Sequence, residues 1–214
     1  MNELKRTFKA RETIIRMLIN RKYDKNYIGS RFFNTTIEEF KVLFNNKNDC
    51  ILDINDEKNI RTVVIFYYDL SNSISKKDNF KKTFYNYVDT IDTPFKIILI
   101  SKQVLTEQDR KKILTQLVPN ELEEIGRNIE VELFNELELQ YDPTFHNLVP
   151  KHIILTKEEK KNVLQQFNLT LSQLPKLSKS DVIARYYNMN IGDLIKIIRT
   201  SPSAGKCITY RAVC

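Results

Sequence analysis

The 214-residue sequence contains no tryptophan, four glycines, three cysteines and two histidines. Cys50, Cys207 and Cys214 show no CxxC spacing, and His146 and His152 have no metal-ligating partner at a suitable spacing, which excludes a zinc site of the usual kind. The phosphate-binding patterns GxGxxG and GxxxxGK[ST] are absent, and so is the GxSxG nucleophile turn. We therefore expect reduced thiols, no metal, no cofactor and no small-molecule substrate.

Long hydrophobic runs are also missing. The longest apolar stretches reach about six residues, whereas a membrane-spanning helix needs roughly twenty. The N-terminus, MNELKRTFKARE, lacks the apolar core of a signal peptide. The sequence predicts a soluble intracellular protein that has no membrane partner.

The net charge of +7 is unevenly distributed. Residues 146–214 contain eleven Lys or Arg and four Asp or Glu, and so account for the whole excess. A basic region of this kind is typical of proteins that bind nucleic acid or an acidic protein surface, although many such regions are only solvated.

Residues 1–142 alternate between helical and strand patterns. Leu4, Phe8, Ile15 and Leu18 recur at helical spacing, and Thr36 with Glu39 forms a capping-box pattern that starts a second helix. Strands are predicted at 51–54, 62–68, 95–101 and 129–134, and further helices at 76–91 and 106–117. This alternation predicts an α/β domain with a mixed or parallel sheet and flanking helices.

Residues 143–214 read as a separate, small α+β domain that begins in the proline-flanked turn YDPTFHNLVPKH. Thr156 and Glu159 predict a capped helix, and Pro175 makes QLPKLSKSD an extended connector. Ser180 is predicted to cap a short helix, DVIARYY. Gly192 then turns the chain into two strands, DLIKIIR and CITYRAV, which the hairpin loop SPSAG joins.

A metal-dependent nuclease site is the enzymatic alternative for an α/β domain of this kind. It needs carboxylates on neighbouring strand ends with a nearby lysine. Asp53 ends a strand, but Asp56-Glu57-Lys58 lies in a turn and Glu39-Phe40-Lys41 on a helix, so the pattern fails. The basic first helix and the segment FKKTFYNYV could contact phosphates without sequence specificity.

The segments LVPKH, LTKEE, QLPKL, ARYY, GDLIKIIR, SPSAG and ITYR occur in this order over about seventy residues. Together they resemble the shared small subunit of multisubunit DNA-directed RNA polymerases. In archaea this subunit consists of the C-terminal domain alone, and in eukaryotes it is the fifth subunit, common to polymerases I, II and III. Residues 1–142 resemble, in pattern more than in letters, the N-terminal jaw domain of the eukaryotic form.

The resemblance implies a non-catalytic subunit that acts in transcription. Its C-terminal domain would dock on the largest polymerase subunit and assist assembly. Its N-terminal domain, a nuclease-like mixed sheet without an active site, would form part of the lower jaw beside the downstream DNA duplex. A nuclear location follows, or the host cytoplasm or virion if a large DNA virus encodes the chain.

The resemblance also carries residue roles. It implies that Arg185, Arg199 and Arg211 use forked guanidinium groups to bind carboxylates or carbonyls of the large subunit. The other implied partner-binding residues are Tyr186, Lys196, Ser201, Gly205, Thr209 and Tyr210. Pro175, Gly192 and Gly205 are implied turn residues, and Pro202 and Ala204 also match the family motif.

The chain departs from the family at several positions. Pro202-Ser203 replaces a common Glu-Thr, and Cys207 stands where an aromatic residue is frequent. In the jaw, Leu105-Thr106-Glu107-Gln108 replaces a Thr-Pro-Ser-Ala element, and a glutamate there would repel phosphate. Two other readings stay open: a free-standing nucleic-acid-processing protein with a degenerate nuclease-like fold, and a scaffold outside polymerase. A metal-dependent cleavage assay separates the first of these from a polymerase subunit.

Overall fold

The structure is a computed structural model that describes residues 3–23, 36–45, 51–55, 61–67, 95–102, 104, 106–112, 130–201 and 205–214. The chain separates into two compact units, Met1–Tyr141 and Asp142–Cys214. The predicted helix over 76–91, the turn over 56–60 and the tip of the SPSAG loop lie outside the described residues. Within the described part of the chain, no helix is both long and apolar enough to cross a membrane.

The first unit contains a mixed four-stranded sheet, which confirms the predicted sheet type. The strands are β1 (Ile51–Asn55), β2 (Arg61–Tyr67), β3 (Phe95–Ser101) and β4 (Glu130–Asn135), and they lie side by side in that order. β1 is antiparallel to β2, whereas β2, β3 and β4 are parallel. The inner strand β3 buries residues 97–100 completely or nearly so, as expected for a continuous apolar run between two parallel neighbours.

Three helices of this unit are described: α1 (Glu3–Asn20), α2 (Ile37–Asn45) and α3 (Glu107–Lys112). α1 is buried over a wider arc than the predicted apolar stripe. Ala10, Ile14 and Met17 have no exposed surface, whereas Leu4 and Phe8 are only half-buried. The simple amphipathic picture was therefore wrong in detail, because threonines and an arginine of the helix are also enclosed by neighbouring elements.

The second unit contains a four-stranded sheet and two helices. The strands are β5 (Lys151–Ile154), β6 (Lys176–Leu177), β7 (Leu194–Ser201) and β8 (Gly205–Val213), in the order β5-β7-β8-β6. The helices are α4 (Lys157–Gln166) and α5 (Val182–Tyr186). β7 is antiparallel to both β5 and β8, and β6 is parallel to β8. β6 lies in the segment predicted as an extended connector. It pairs with β8, which is distant in sequence.

The two faces of this second sheet are covered by different helices. On the α5 face, which we define by Ile195, Ile197 and Val213, the sheet packs against Ile183 and Ala184. On the α4 face, defined by Leu194 and Ala212, it packs against other apolar side chains, among them Val163 and Leu164 of α4. Because side chains alternate along a strand, the register of β7 and β8 decides which face each residue serves.

Local capping chemistry was predicted correctly at two helices. Thr36 with Glu39 and Thr156 with Glu159 form reciprocal capping boxes at the starts of α2 and α4. The predicted Ser180 cap was wrong, because α5 begins at Val182 and the N-cap position falls on Asp181. The Asp181 carboxylate accepts a hydrogen bond from the Ile183 backbone N–H at 2.8 Å, and Ser180 bonds to the Ser178 hydroxyl instead.

Replacing the true cap should destabilise the protein more than replacing the predicted one. We expect Asp181→Ala to lower the free energy of unfolding by about 1 kcal/mol, because it removes the acceptor for an orphan N–H of α5. Ser180→Ala should change it by less than about 0.5 kcal/mol, as is usual for an exposed polar residue. Urea unfolding measures both. A larger loss for Ser180→Ala would contradict the assignment of the cap.

Candidate partner-docking surface

The β7–β8 hairpin brings several predicted partner-binding residues onto one side of the sheet. Cross-strand pairing matches Ile195 with Arg211, Ile197 with Thr209, Arg199 with Cys207, and Ser201 with Gly205. Directly paired residues of an antiparallel ladder lie on the same side. Five of the predicted residues therefore share the α5 face by register: Arg199, Ser201, Gly205, Thr209 and Arg211.

α5 covers only one end of this face. Its apolar residues pack on Ile195, Ile197 and Val213, which are almost completely buried. Toward the hairpin turn, Arg199 and Cys207 are exposed, while Thr209 and Arg211, which pair with the buried Ile197 and Ile195, are half-buried. The face therefore passes from a closed apolar core into an open polar surface. We call this open surface, formed by Arg199, Cys207, Thr209 and Arg211 and extended by His152, the docking surface.

Positive charge concentrates on the docking surface. His152 pairs with Ile197 and so lies on the same side of the sheet. Burial lowers the pKa of His152, and the charges of Arg199 and Arg211 lower it further, against opposing contributions from Asp181 and a backbone hydrogen bond. The two guanidinium groups are therefore near enough to act on one imidazole. His152 was not among the predicted partner-binding residues. The alternation of side chains along the strand KHII, which places His152 on this side of the sheet, was the signal that could have identified it.

Backbone contacts also constrain the arginines of this surface. Arg211 Nη1 donates a hydrogen bond to the carbonyl oxygen of Lys176 on β6 at 3.3 Å. Arg211 retains further N–H donors for a carboxylate or carbonyl of a partner, because each guanidinium has five. The predicted residue Arg185 lies in the last turn of α5, is half-buried, and is not one of the residues that define the docking surface.

Two of the predicted partner-binding residues lie on the other side of the sheet. Lys196 pairs with Tyr210, in alternation with the docking-surface pairs, and both therefore belong to the α4 face. Tyr210 packs within that core, and its ring centroid lies 5.9 Å from that of Phe167. Strand alternation therefore divides the motif residues between two faces, and these two are not part of the docking surface.

Tyr186 is also unsuited to direct contact with a partner. It is 3% exposed, and its hydroxyl donates a hydrogen bond to Asp142 Oδ2 at 3.3 Å. Its ring meets that of Tyr187 edge to face, with the centroids 5.1 Å apart. Within this unit, Tyr186 links α5 to Asp142 at the start of the domain, and its contact with a partner stays a prediction.

The predicted turn residues occupy special backbone positions. Gly192 has φ of 90° and Gly205 has φ of 69°, in the left-handed region that favours glycine. The Gly192 N–H donates to the Val213 carbonyl at 2.9 Å, which ties this turn to the end of β8. Leu174, before Pro175, has an extended backbone with ψ of 149°, as predicted from the restriction that proline imposes.

The nuclease alternative gains no support from the described residues. Asp53 lies within β1 opposite Val63, Glu39 is committed to the cap of α2, and residues 56–58 are outside the described part. Among the described residues, no three His, Cys, Asp or Glu are grouped so that they could hold a metal ion.

The basic first helix is also less available for phosphate than its sequence indicates. Arg11 is 4% exposed and lies over the Phe40 ring. Arg21 forms a two-pronged ion pair with Glu132, at 2.7 and 2.8 Å. Lys9 is exposed beside the ring of Tyr141. The exposed Glu107 begins α3 and adds negative charge at that position.

Comparison with known proteins identifies the class of the C-terminal domain. The model of the family "RNA polymerase Rpb5, C-terminal domain" matches residues 141–213. The subunit named "DNA-directed RNA polymerases I, II, and III subunit rpabc1" of Dictyostelium discoideum is 42% identical over 119 residues, 56% of this chain and 50% of that protein. The corresponding RPABC1 subunits of Caenorhabditis briggsae and Caenorhabditis elegans are each 29% identical over 218 residues, 99% of this chain and 97% of theirs.

Residues 141–213 therefore resemble the Rpb5 C-terminal domain, whose family model they match. The resemblance inferred from the sequence motifs is confirmed. It extends at lower identity over nearly the whole chain, to relatives that are named as the subunit shared by RNA polymerases I, II and III.

The surroundings of His152 predict a pH-dependent stability. Because its pKa is lowered in the folded protein from a usual value of 6.5, the unfolded chain takes up a proton at higher pH than the folded chain. Stability should therefore fall as the pH is lowered through about 6.5, and His152→Gln should flatten this part of the curve. Urea unfolding between about pH 5 and 7.5 measures it.

A pH dependence that His152→Gln leaves unchanged would contradict the assignment.

Proposed function

We propose that this protein is a non-catalytic structural subunit of a DNA-directed RNA polymerase and acts in transcription. Its domain of residues 143–214 docks on the largest subunit and assists assembly. The observation that carries the proposal is the open, basic docking surface on a domain of the Rpb5 C-terminal family.

The docking surface supplies the chemistry that such a contact needs. Arg199 on β7 and Arg211 on β8 present planar guanidinium groups on the same sheet face. The pair Ile197 with Thr209 lies between their levels, and Thr209 adds a hydroxyl there. These groups recognise carboxylates and carbonyl oxygens of a partner chain. The adjacent apolar core keeps β7 and β8 in register, so the polar groups need little reorganisation on binding.

The domain of residues 1–142 is proposed as the jaw beside downstream DNA, with a nuclease-like fold but no active site. Its mixed sheet supports this assignment only at the level of architecture. Arg11 is buried, and Arg21, which directly follows α1, is paired with Glu132. Phosphate contacts of α1 are therefore left to its exposed lysines, Lys5 and Lys9, and binding to the duplex is weak and non-specific. The proposed site of action is the nucleus, or the host cytoplasm or virion for a viral polymerase.

Gentle affinity purification of the tagged protein from its native source, followed by mass spectrometry, tests the proposal directly. We expect the two largest polymerase subunits in near-equal amounts, and their identity names the polymerase. Purification of the protein alone, together with metal-dependent cleavage of DNA, would instead support the nucleic-acid-processing alternative.

Charge reversal on the docking surface should weaken assembly. We expect Arg199→Glu to reduce recovery of the largest subunit by about tenfold, because it replaces a forked donor with a repelling carboxylate. Lys206→Glu is the matched control: it changes an exposed residue of the same hairpin, but one that pairs with Thr200 and so lies on the α4 face. Equal loss with both variants would indicate a general charge effect and contradict the assigned face.

The hairpin glycine offers a test that does not change charge. A Cβ at Gly205 meets no atom within 4 Å, so the cost of Gly205→Val is conformational and comes from φ of 69°. We expect a loss of about 1–2 kcal/mol in this unit, with recovery of the largest subunit reduced and unfolding of the N-terminal unit unchanged. Gly205→Asn should be milder, since Asn adopts this conformation more readily. Normal incorporation of Gly205→Val would count against the proposal.

A further inference from the structure

A groove of about 530 Å³ runs along α4 and into the turn that follows it. Leu164 and Leu169 contribute apolar surface to it, and Lys157, Lys160 and Lys161 lie on its basic side. The groove is confined to the second unit. None of the predicted partner-binding or turn residues lines it.

The end of α4 builds the apolar part of the groove. Asn168 has φ of 50°, which reverses the chain just after the helix. The Leu169 N–H then donates to the Leu164 carbonyl at 2.9 Å, and this hydrogen bond brings the Leu169 residue back beside the helix. Leu169 nevertheless remains 37% exposed, so an apolar surface is left open at a fixed position.

The charges around the groove favour an anionic ligand. Lys157 and Lys161 are exposed and one helical turn apart, so they lie on the same side of α4. Lys160 Nζ donates to the Gly192 carbonyl at 2.6 Å, which holds a third positive charge beside them. The nearby Glu159 is occupied by the capping box, where it accepts from the Thr156 N–H at 2.8 Å.

We propose that this groove binds an acidic, amphipathic segment of another protein, whose carboxylates pair with Lys157 and Lys161 while an apolar side chain covers Leu164 and Leu169. Charge complementarity selects an acidic ligand. The apolar floor selects a protein segment over a nucleic-acid backbone, because phosphates use lysines but gain nothing from aliphatic surface.

The groove and the docking surface can be occupied at the same time. α4 packs on the face formed by Leu194 and Ala212, whereas the docking surface lies on the opposite side of the sheet. A subunit docked through Arg199 and Arg211 therefore leaves α4 accessible. The proposal goes beyond the assembly role and does not depend on it.

Fluorescence anisotropy with the full chain and three labelled probes tests the proposal. The probes are an acidic peptide with Leu and Phe anchors, the same peptide with Ser at the anchors, and a single-stranded oligonucleotide of equal charge. We expect the anchored peptide to bind best. Lys157→Glu combined with Lys161→Glu should weaken it by about tenfold through loss and reversal of two charge pairs.

Lys179→Glu is the matched control, since it reverses one exposed lysine of the same domain outside the groove. It should change peptide binding by less than about twofold. Equal binding of the anchored and Ser-substituted peptides, or tighter binding of the oligonucleotide with the same lysine dependence, would overturn the proposal. So would an unchanged affinity in the double variant with its thermal unfolding intact.

Discussion

The second unit depends on one constraint, the register of the β7–β8 hairpin. Its pairing runs from Leu194 with Ala212 to Ser201 with Gly205, without interruption among the described pairs. A slip of either strand by one residue would exchange the two faces of that strand. In β7, Ile195 and Ile197 would then leave the core of α5 and Arg199 would turn toward α4. In β8, Arg211 would turn toward α4. The hydrophobic cost of that exchange fixes the position of the polar surface.

A family motif and an interface are therefore different sets of residues. The motif residues include Lys196 and Tyr210, which serve the α4 face, and Tyr186, which holds α5 to Asp142. The open surface contains only part of the motif, and it includes His152, to which the resemblance assigned no role. A family motif includes residues that the domain needs for packing and for turns, as well as residues for contact. An interface can use only the residues that packing leaves exposed.

In the N-terminal unit, likewise, the basic residues of the sequence differ from the basic residues that are available at the surface. Its first helix is basic in sequence, yet Arg11 is 4% exposed and lies against an aromatic ring, and Arg21 meets Glu132 from a strand more than a hundred residues away. These charges therefore have a structural role, through packing in the case of Arg11 and through an ion pair in the case of Arg21. Buried charges of this kind are paired or packed because an isolated one would be costly.

The sequence by itself determined the elements whose causes are local. The capping boxes at Thr156 and Thr36 and the buried run of β3 depend on neighbouring residues, and they were predicted correctly. The family likewise followed from motifs in order along the chain. Tertiary structure alone decided the two-residue strand β6, the cap at Asp181, the burial of Arg11 and the division of the motif between two faces. Apart from the cap, which depends on where α5 begins, each of these results from contacts between segments distant in sequence. Register and burial decide which of those contacts form, and local propensity encodes neither.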